Sequence, residues 1–237
     1  MKHLLAPFLL TAGCLAGGSA IAQQPLKMGS FPIPLMVESA DKGVFIELTK
    51  EVAKRAGLPI EIEVVPTKRT IDNFAQNAIA GYFPALDVVN PGPVSKSIRI
   101  YVKNDYAFTK EGANLKTIKD LEGQSVGITL GYPYASELTG NKKINFQVAK
   151  DDTTNMKKLA AGRIAAFVVE ERSGLKALEQ SGEKGISYDP KVKLSEQNVY
   201  YAFQPTPEGK IYADKFSKAL TNMENDGTLA AIMGKAK

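Results

Sequence analysis

The sequence predicts an α/β fold with two lobes, each a mostly parallel sheet flanked by helices. Strand and helix signals alternate along the chain, and this alternation starts a second time near its middle. Two extended segments, 98–108 and 198–203, are longer than a local strand–helix unit requires. We expect both to run between the lobes as a double hinge beside a cleft. The predicted lobes are residues 23–103 with 202–237, and residues 104–201.

The first set of elements is predicted from its hydrophobic periodicity. A strand is expected over 26–31, followed by a helix over 44–56 whose apolar residues share one face. Residues 60–64 alternate apolar and charged side chains, as a strand with one buried face does. A second helix is expected over 68–80, with Thr67 as its N-cap.

The second set repeats this order and continues to the C-terminal region. Its predicted strands and helices are strand 124–130, strand 145–149, helix 153–161, strand 165–169, helix 173–180, helix 207–224 and a short helical turn at 228–233.

The N-terminal segment predicts export. Lys2 precedes the apolar run 4–10, and the small residues at 20–22 form an A-x-A cleavage site, so residues 1–22 are predicted to be a signal peptide. The apolar run is too short to span a bilayer as an ordinary helix. Cys14 ends a segment similar to a lipoprotein box, and acylation of this cysteine is the alternative. We expect a periplasmic protein.

Composition excludes several classes of chemistry. Removal of 22 of the 237 residues would leave 215 residues without cysteine or histidine, because Cys14 and His3 are the only ones. Zinc sites of the Cys/His kind, Cys–His and Ser–His–Asp catalysis and a disulfide framework are therefore excluded. The remaining 29 basic and 25 acidic residues give a net charge of +4 without a basic stripe, which argues against nucleic-acid binding. We expect no cofactor, no metal and no catalytic residue.

Six short segments resemble, in their order and spacing, segments of a known family. They are GVFIEL (43–48), AGYFP (80–84), SKSI (95–98), IKDLEGQSVG (118–127), LAAGR (159–163) and DGT (226–228). The resemblance is to bacterial extracellular solute-binding proteins of the polar amino-acid type (family 3), and it covers nearly the whole exported chain. It implies a periplasmic-binding-protein-like (type II) fold, a small-molecule ligand in the cleft, and delivery to the membrane permease of an ABC importer.

The chain departs from this family at two positions: Ala165 stands where the family has an acidic residue before a strand, and a carboxylate-binding Arg is missing. Family members that bind amino acids carry a carboxylate-binding Arg before the segment that matches 95–98, and residues 86–93 contain none. These departures leave the ligand open between an amino acid and a related carboxylate.

Two arginines are candidate carboxylate partners, because a guanidinium can donate two parallel hydrogen bonds to a carboxylate. Arg69 lies near the start of the second predicted helix, and Arg99 lies at the start of the first extended segment. Each also fits a solvated surface arginine.

The turn 131–134 is a second candidate contact. It joins a predicted strand to a predicted helix, with Pro133 suited to the first helical position. Free N–H groups and the helix dipole would favour an anion there, so we predict ligand contacts at Tyr132 and Pro133. The alternative is a tight turn with two surface tyrosines.

Glu170 follows the predicted strand 165–169, where the resembling family places an Asp that holds the ligand ammonium. The alternative is an exposed charge at a helix start. Phe31 and Tyr82 are predicted aromatic contacts, whereas Phe83 is assigned to the core.

These residues predict a monomeric receptor that closes its hinge around a solute rather than transforming it. Two alternatives remain open. The same fold hosts periplasmic cyclohexadienyl-dehydratase-like enzymes, and Glu170 could act as an acid in such a reaction. A sensor or accessory binding protein is the other alternative, since fold alone does not decide function.

Overall fold

The structure is a computed structural model that describes residues 24–89 and 92–235. The predicted signal peptide and Cys14 lie outside these ranges. Within them, no helix combines the length and the apolar character that a membrane crossing requires.

The described chain contains the predicted strands and helices in their predicted order, and it has further strands at 81–86, 95–96 and 186–187 that were not predicted. The strands are β1 Leu26–Ser30, β2 Ile60–Val64, β3 Gly81–Leu86, β4 Ser95–Lys96, β5 Tyr101–Lys110, β6 Ser125–Thr129, β7 Asn145–Ala149, β8 Ala166–Glu170, β9 Ile186–Ser187 and β10 Ser195–Phe203. The helices are α1 Val44–Ala56, α2 Thr67–Ala75, α3 Ser136–Thr139, α4 Asp152–Ala160, α5 Glu171–Ser181, α6 Pro207–Asn225 and α7 Thr228–Met233.

All ten strands belong to one sheet, with the order β2-β1-β3-β10-β5-β8-β6-β7, β4 on β10 and β9 on β5. At one end β1 pairs in parallel with β2 and β3, and at the other β6 pairs in parallel with β7 and β8. Strands β5 and β10 are antiparallel to their neighbours. Each half of the sheet is thus mostly parallel, as predicted.

Strands β5 and β10 pass from one half of the sheet to the other. Residues 101–105 of β5 pair with 195–199 of β10, and residues 105–109 of β5 then pair with β8. Beyond Val199, β10 continues along β3. The two extended segments of the sequence therefore form two adjacent strands that join two lobes, which confirms the predicted architecture.

The first lobe is the part built from β1–β4, α1, α2, α6 and α7. The second lobe is the part built from β6–β9 and α3–α5. Each lobe has hydrophobic clusters of its own. Helix α1 buries Phe45, Leu48 and Val52 in the first, together with Phe83. Clusters of the second lobe surround strands β6 and β8. The predicted lobe boundaries at 103/104 and 201/202 fall inside β5 and β10, and they stay predictions.

Helix α2 differs from its prediction at both ends. It begins at Thr67 with Pro66 as N-cap, so the assignment of Thr67 as the cap is wrong. It ends at Ala75 rather than at residue 80, since Asn77 adopts the left-handed conformation with φ 58°. This turn directs the chain into β3, a fully buried strand.

Candidate ligand-binding site

A cavity of about 130 Å³ lies between the two lobes, beside the strands that join them. A single water requires roughly 10–15 Å³ measured in this way, so the cavity has room for a small solute. The first lobe contributes mainly apolar and aromatic side chains to its wall: Phe31, Pro32, Ile33, Met36, Phe45, Thr67, Pro84 and Leu86, joined by Val199 of β10.

The opposite wall has a different chemistry. Strand β5 contributes Tyr101 and Lys103, and the second lobe contributes Leu130, Gly131, Tyr132, Pro133, Glu170, Arg172 and Ser173. The charged residues among the described lining are Lys103, Glu170 and Arg172, and the first lobe supplies none of them.

Glu170 is placed by a strand end and a helix start. It is the last residue of β8 and the N-cap of α5, where its Oε2 accepts a hydrogen bond of 3.0 Å from the backbone N–H of Ser173. Burial raises the pKa of the Glu170 carboxyl above its usual value, although backbone N–H groups and the charge of Arg172 oppose that shift. The Glu170 carboxyl is therefore largely shielded from water and lies beside the cavity.

Arg172, the second residue of α5, carries a donor that the protein leaves unused. Its guanidinium carbon lies 5.7 Å from the centroid of the Tyr101 ring, within the range of a cation–π contact. Its Nη1 is buried, and no described residue accepts a hydrogen bond from it. Because buried donors are nearly always paired in proteins, this donor of a cavity-lining residue needs an acceptor that the described residues do not supply.

Lys103 lines the cavity, but its charge is already neutralised. It is 8% exposed and forms an ion pair with Asp105, which is 0% exposed. Asp105 also accepts hydrogen bonds from Ser195 Oγ at 2.8 Å and from Gln197 Nε2 at 3.2 Å. This buried cluster connects the two joining strands, and it leaves no net charge for a ligand.

The turn at 131–134 is fixed by its side chains and by the joining strands. The backbone oxygen of Pro133 accepts hydrogen bonds from Lys103 Nζ at 3.3 Å and Gln197 Nε2 at 3.2 Å. The Tyr132 hydroxyl donates to Asp152 Oδ2 at 3.0 Å, and burial raises the pKa of that carboxyl. The turn therefore presents a rigid edge to the cavity.

The predicted helix start at Pro133 is wrong. Helix α3 begins at Ser136 with Ala135 in an extended N-cap conformation, and it is four residues long. The backbone oxygen of Pro133 points to the joining strands instead, so a helix dipole does not carry this part of the site.

The structure brings four of the seven predicted site residues to the cavity: Phe31, Tyr132, Pro133 and Glu170. The other three lie outside its described lining. Arg69 and Arg99 are exposed. Tyr82 is 1% exposed and packs against Phe74 with ring centroids 5.0 Å apart. Ligand contacts of all seven residues stay predictions.

The lining residues that sequence reasoning missed include Tyr101, Lys103 and Arg172. Side chains two residues apart on a strand share a face, so the Tyr101–Lys103 pair could have been read from the first extended segment. No local sequence pattern predicts the position of Arg172, because the junction of β8 and α5 places this residue at the cavity.

No protein-family model matches the sequence. The chain is similar to the arginine-binding extracellular protein ArtP of Bacillus subtilis (strain 168). The two are 25% identical over 241 residues, which cover 96% of this chain and 92% of ArtP.

Solved structures show the same fold. The ligand-binding core of GluR0 from Nostoc punctiforme, in complex with L-glutamate, aligns with a TM-score of 0.71 and 21% identity over 89% of this chain and 98% of its own. The substrate-binding protein of an amino-acid ABC transporter aligns with a TM-score of 0.64 and 18% identity over 89% of this chain and 97% of its own. The resemblance predicted from the sequence is thus confirmed: this chain has the two-lobed, periplasmic-binding-protein-like fold and is similar to bacterial extracellular amino-acid-binding proteins.

Proposed function

We infer that this protein is an exported receptor that captures a small polar solute, an amino acid or a related carboxylate, and delivers it to the permease of an ABC importer. The observation that carries this proposal is the cavity between the lobes, whose wall combines apolar side chains with Glu170 and Arg172. Small-molecule sites have this composition, with few polar groups in a mostly apolar surface.

The mechanism is closure about the joining strands. A solute held by the second lobe gains contacts with the first lobe only when the lobes meet, and this difference in affinity shifts the population to the closed form. Strands β5 and β10 are the only described strands that pair in both halves of the sheet, so bending is expected there. An affinity typical of such receptors, about micromolar, corresponds to roughly −8 kcal/mol.

Within the cavity we assign Glu170 to the ammonium of the solute, because its carboxylate is the one acidic group in the described lining. Tyr132 and Pro133 contact the solute through the fixed turn, and Phe31 contacts it from the first lobe. Arg69 and Arg99 would need a movement of the lobes to reach it, and Tyr82, which packs against Phe74, would need a rearrangement inside the first lobe.

The receptor is proposed to act as a monomer in the periplasm after loss of residues 1–22, with acylation of Cys14 as the alternative. Lobe boundaries at 103/104 and 201/202 would allow bending in both joining strands. The dehydratase alternative is not favoured, since the relatives are binding proteins and the described lining contains one carboxylate rather than a pair.

Native mass spectrometry of the protein purified from its own periplasm tests this function. We expect a bound small molecule whose mass and fragmentation pattern are the same before and after prolonged incubation with the protein. The protein is then unfolded and refolded without this molecule, and the molecule is added back at 100 times its dissociation constant. This addition should raise the free energy of unfolding by about 2.7 kcal/mol. Conversion of the molecule during incubation would instead support an enzyme, and failure of the purified and refolded protein to bind any solute would contradict the receptor.

A further inference from the structure

We propose that the solute is an amino acid with an uncharged, apolar side chain, and that Arg172 of the second lobe binds its carboxylate. This inference rests on the proposed function and names the class of ligand for the same cavity.

The first argument is the unused donor of Arg172. Nη1 is buried without an acceptor among the described residues, and Arg172 forms no ion pair with any of them. The Tyr101 ring lies over the guanidinium carbon and holds the group at the wall. A carboxylate is the acceptor that matches a guanidinium best, because both are planar and charged. In this proposal Arg172, on the second lobe, takes the role of the carboxylate-binding arginine that the sequence lacks before residue 95.

The second argument is the charge of the cavity wall. In the described lining, Glu170 is the one carboxylate and Arg172 the one cation without an ionic partner, since Lys103 is paired with Asp105. One fixed negative and one fixed positive charge match one ammonium and one carboxylate. A third charge, as in the side chain of arginine or glutamate, would be buried without a partner at a cost of several kcal/mol.

Lys103 is not available to bind a second carboxylate. If its ammonium group left Asp105, a carboxylate that is 0% exposed would lose its ionic partner. Breaking such a buried pair is strongly unfavourable.

The third argument is the apolar wall that faces these charges. Phe31, Ile33, Met36, Phe45 and Leu86 line the first-lobe side of the same cavity. Thr67 is the one described lining residue of that lobe with a polar side chain. A ligand whose charged end rests on the second lobe would therefore place an apolar side chain in this wall, where burial of apolar area is favourable.

Isothermal titration calorimetry of the refolded, ligand-free protein tests the ligand class with L-leucine, L-phenylalanine, L-arginine and L-glutamate. We expect L-leucine or L-phenylalanine to bind at least tenfold more tightly than either charged amino acid. Tighter binding of L-arginine or L-glutamate would overturn this inference and leave the receptor function intact. If none of the four binds while a solute other than an apolar amino acid is found bound to the purified protein, the inference also falls.

The role of Arg172 is tested with Arg172→Met, measured on the tighter-binding apolar amino acid and on its amide, which lacks the carboxylate. We expect the variant to bind the amino acid at least tenfold more weakly and to bind the amide as the parent protein does. Arg163→Met is the matched control, because Arg163 is exposed and lies before β8, at the end of the strand away from Glu170. An equal loss for both compounds, or no loss for either, would show that Arg172 does not bind the carboxylate.

Discussion

The two walls of the cavity differ in what they can contribute to binding. The first-lobe wall is apolar, whereas the second lobe supplies Glu170 and Arg172 and the joining strand supplies the neutralised Lys103. Charged groups orient a ligand by direction and distance, while apolar burial depends mainly on area. Under the proposed function, the polar end of the ligand would be anchored on the second lobe, and closure of the first lobe would add apolar burial.

The charged wall is also the more rigidly held. Glu170 caps α5, the backbone oxygen of Pro133 is bound by two side chains of the joining strands, and Tyr132 is bound to Asp152. Because these groups are already ordered, the protein loses less conformational freedom when a ligand binds to them.

The largest expected effect comes from breaking the buried ion pair behind the charged wall. Lys103→Met would leave Asp105 without an ionic partner and should lower the free energy of unfolding by about 3–5 kcal/mol, measured by urea denaturation. The double variant Lys103→Met, Asp105→Leu should recover part of this loss, because it removes both charges but also the acceptor of the Ser195 and Gln197 hydrogen bonds. Equal stability of Lys103→Met and the parent protein would mean that the pair does not hold the joining strands together.

Glu170→Gln should have the next largest effect, on affinity rather than on stability. The amide oxygen can still accept the hydrogen bond of the Ser173 N–H, so the cap of α5 is kept while the charge is lost. We expect at least tenfold weaker binding of a zwitterionic ligand, equivalent to about 1.4 kcal/mol. The melting temperature of the ligand-free variant should stay within about 3 °C of the parent, which is roughly 1 kcal/mol for a chain of this size. A large fall in melting temperature with unchanged affinity would mean that Glu170 stabilises the fold and does not bind the ligand ammonium.

The pH dependence of binding sharpens the same assignment. Burial places the pKa of Glu170 above its usual value of 4.5, so this carboxylate takes up a proton at a higher pH than an exposed glutamate does. The ligand ammonium needs the ionised form, so affinity should fall as the pH is lowered from neutral through that raised pKa. Below it the fall approaches a factor of about ten per pH unit. Titration calorimetry between pH 7 and pH 4.5 should show this fall in the parent protein and a much smaller one in Glu170→Gln.

The sequence predicts the parts of the fold that have a clear period. Helix α1 follows from Phe45, Leu48 and Val52 on one face, and β2 follows from its strict alternation. Strand β3 has no alternation because all six of its residues are buried, and it contains Gly81 and Pro84, which argue against a strand. Its assignment therefore depends on the pairing with β1 and β10, which a local pattern does not contain.

The candidate site is predictable only in part, for a related reason. Glu170 and the turn at 131–134 lie where strands end, and ends of parallel strands meet at one edge. The sequence offers Arg69 and Arg99 as candidate carboxylate partners and gives no such signal for Arg172, yet Arg172 is the one of the three that lines the described cavity. The distinction depends on how a helix start is oriented relative to the other lobe, and this is a tertiary property.

The smallest expected effect belongs to Thr67→Val, which removes the one hydroxyl that the first lobe contributes to the described lining. Thr67 is the first residue of α2 and Pro66 is its N-cap, so valine keeps the shape of the side chain without removing the cap residue. If the first lobe binds through apolar area alone, affinity for an apolar amino acid should change by less than about twofold, or roughly 0.4 kcal/mol. A loss of tenfold or more in titration calorimetry would mean that the hydroxyl binds the polar end of the ligand, and the division of the cavity into a charged and an apolar wall would not hold.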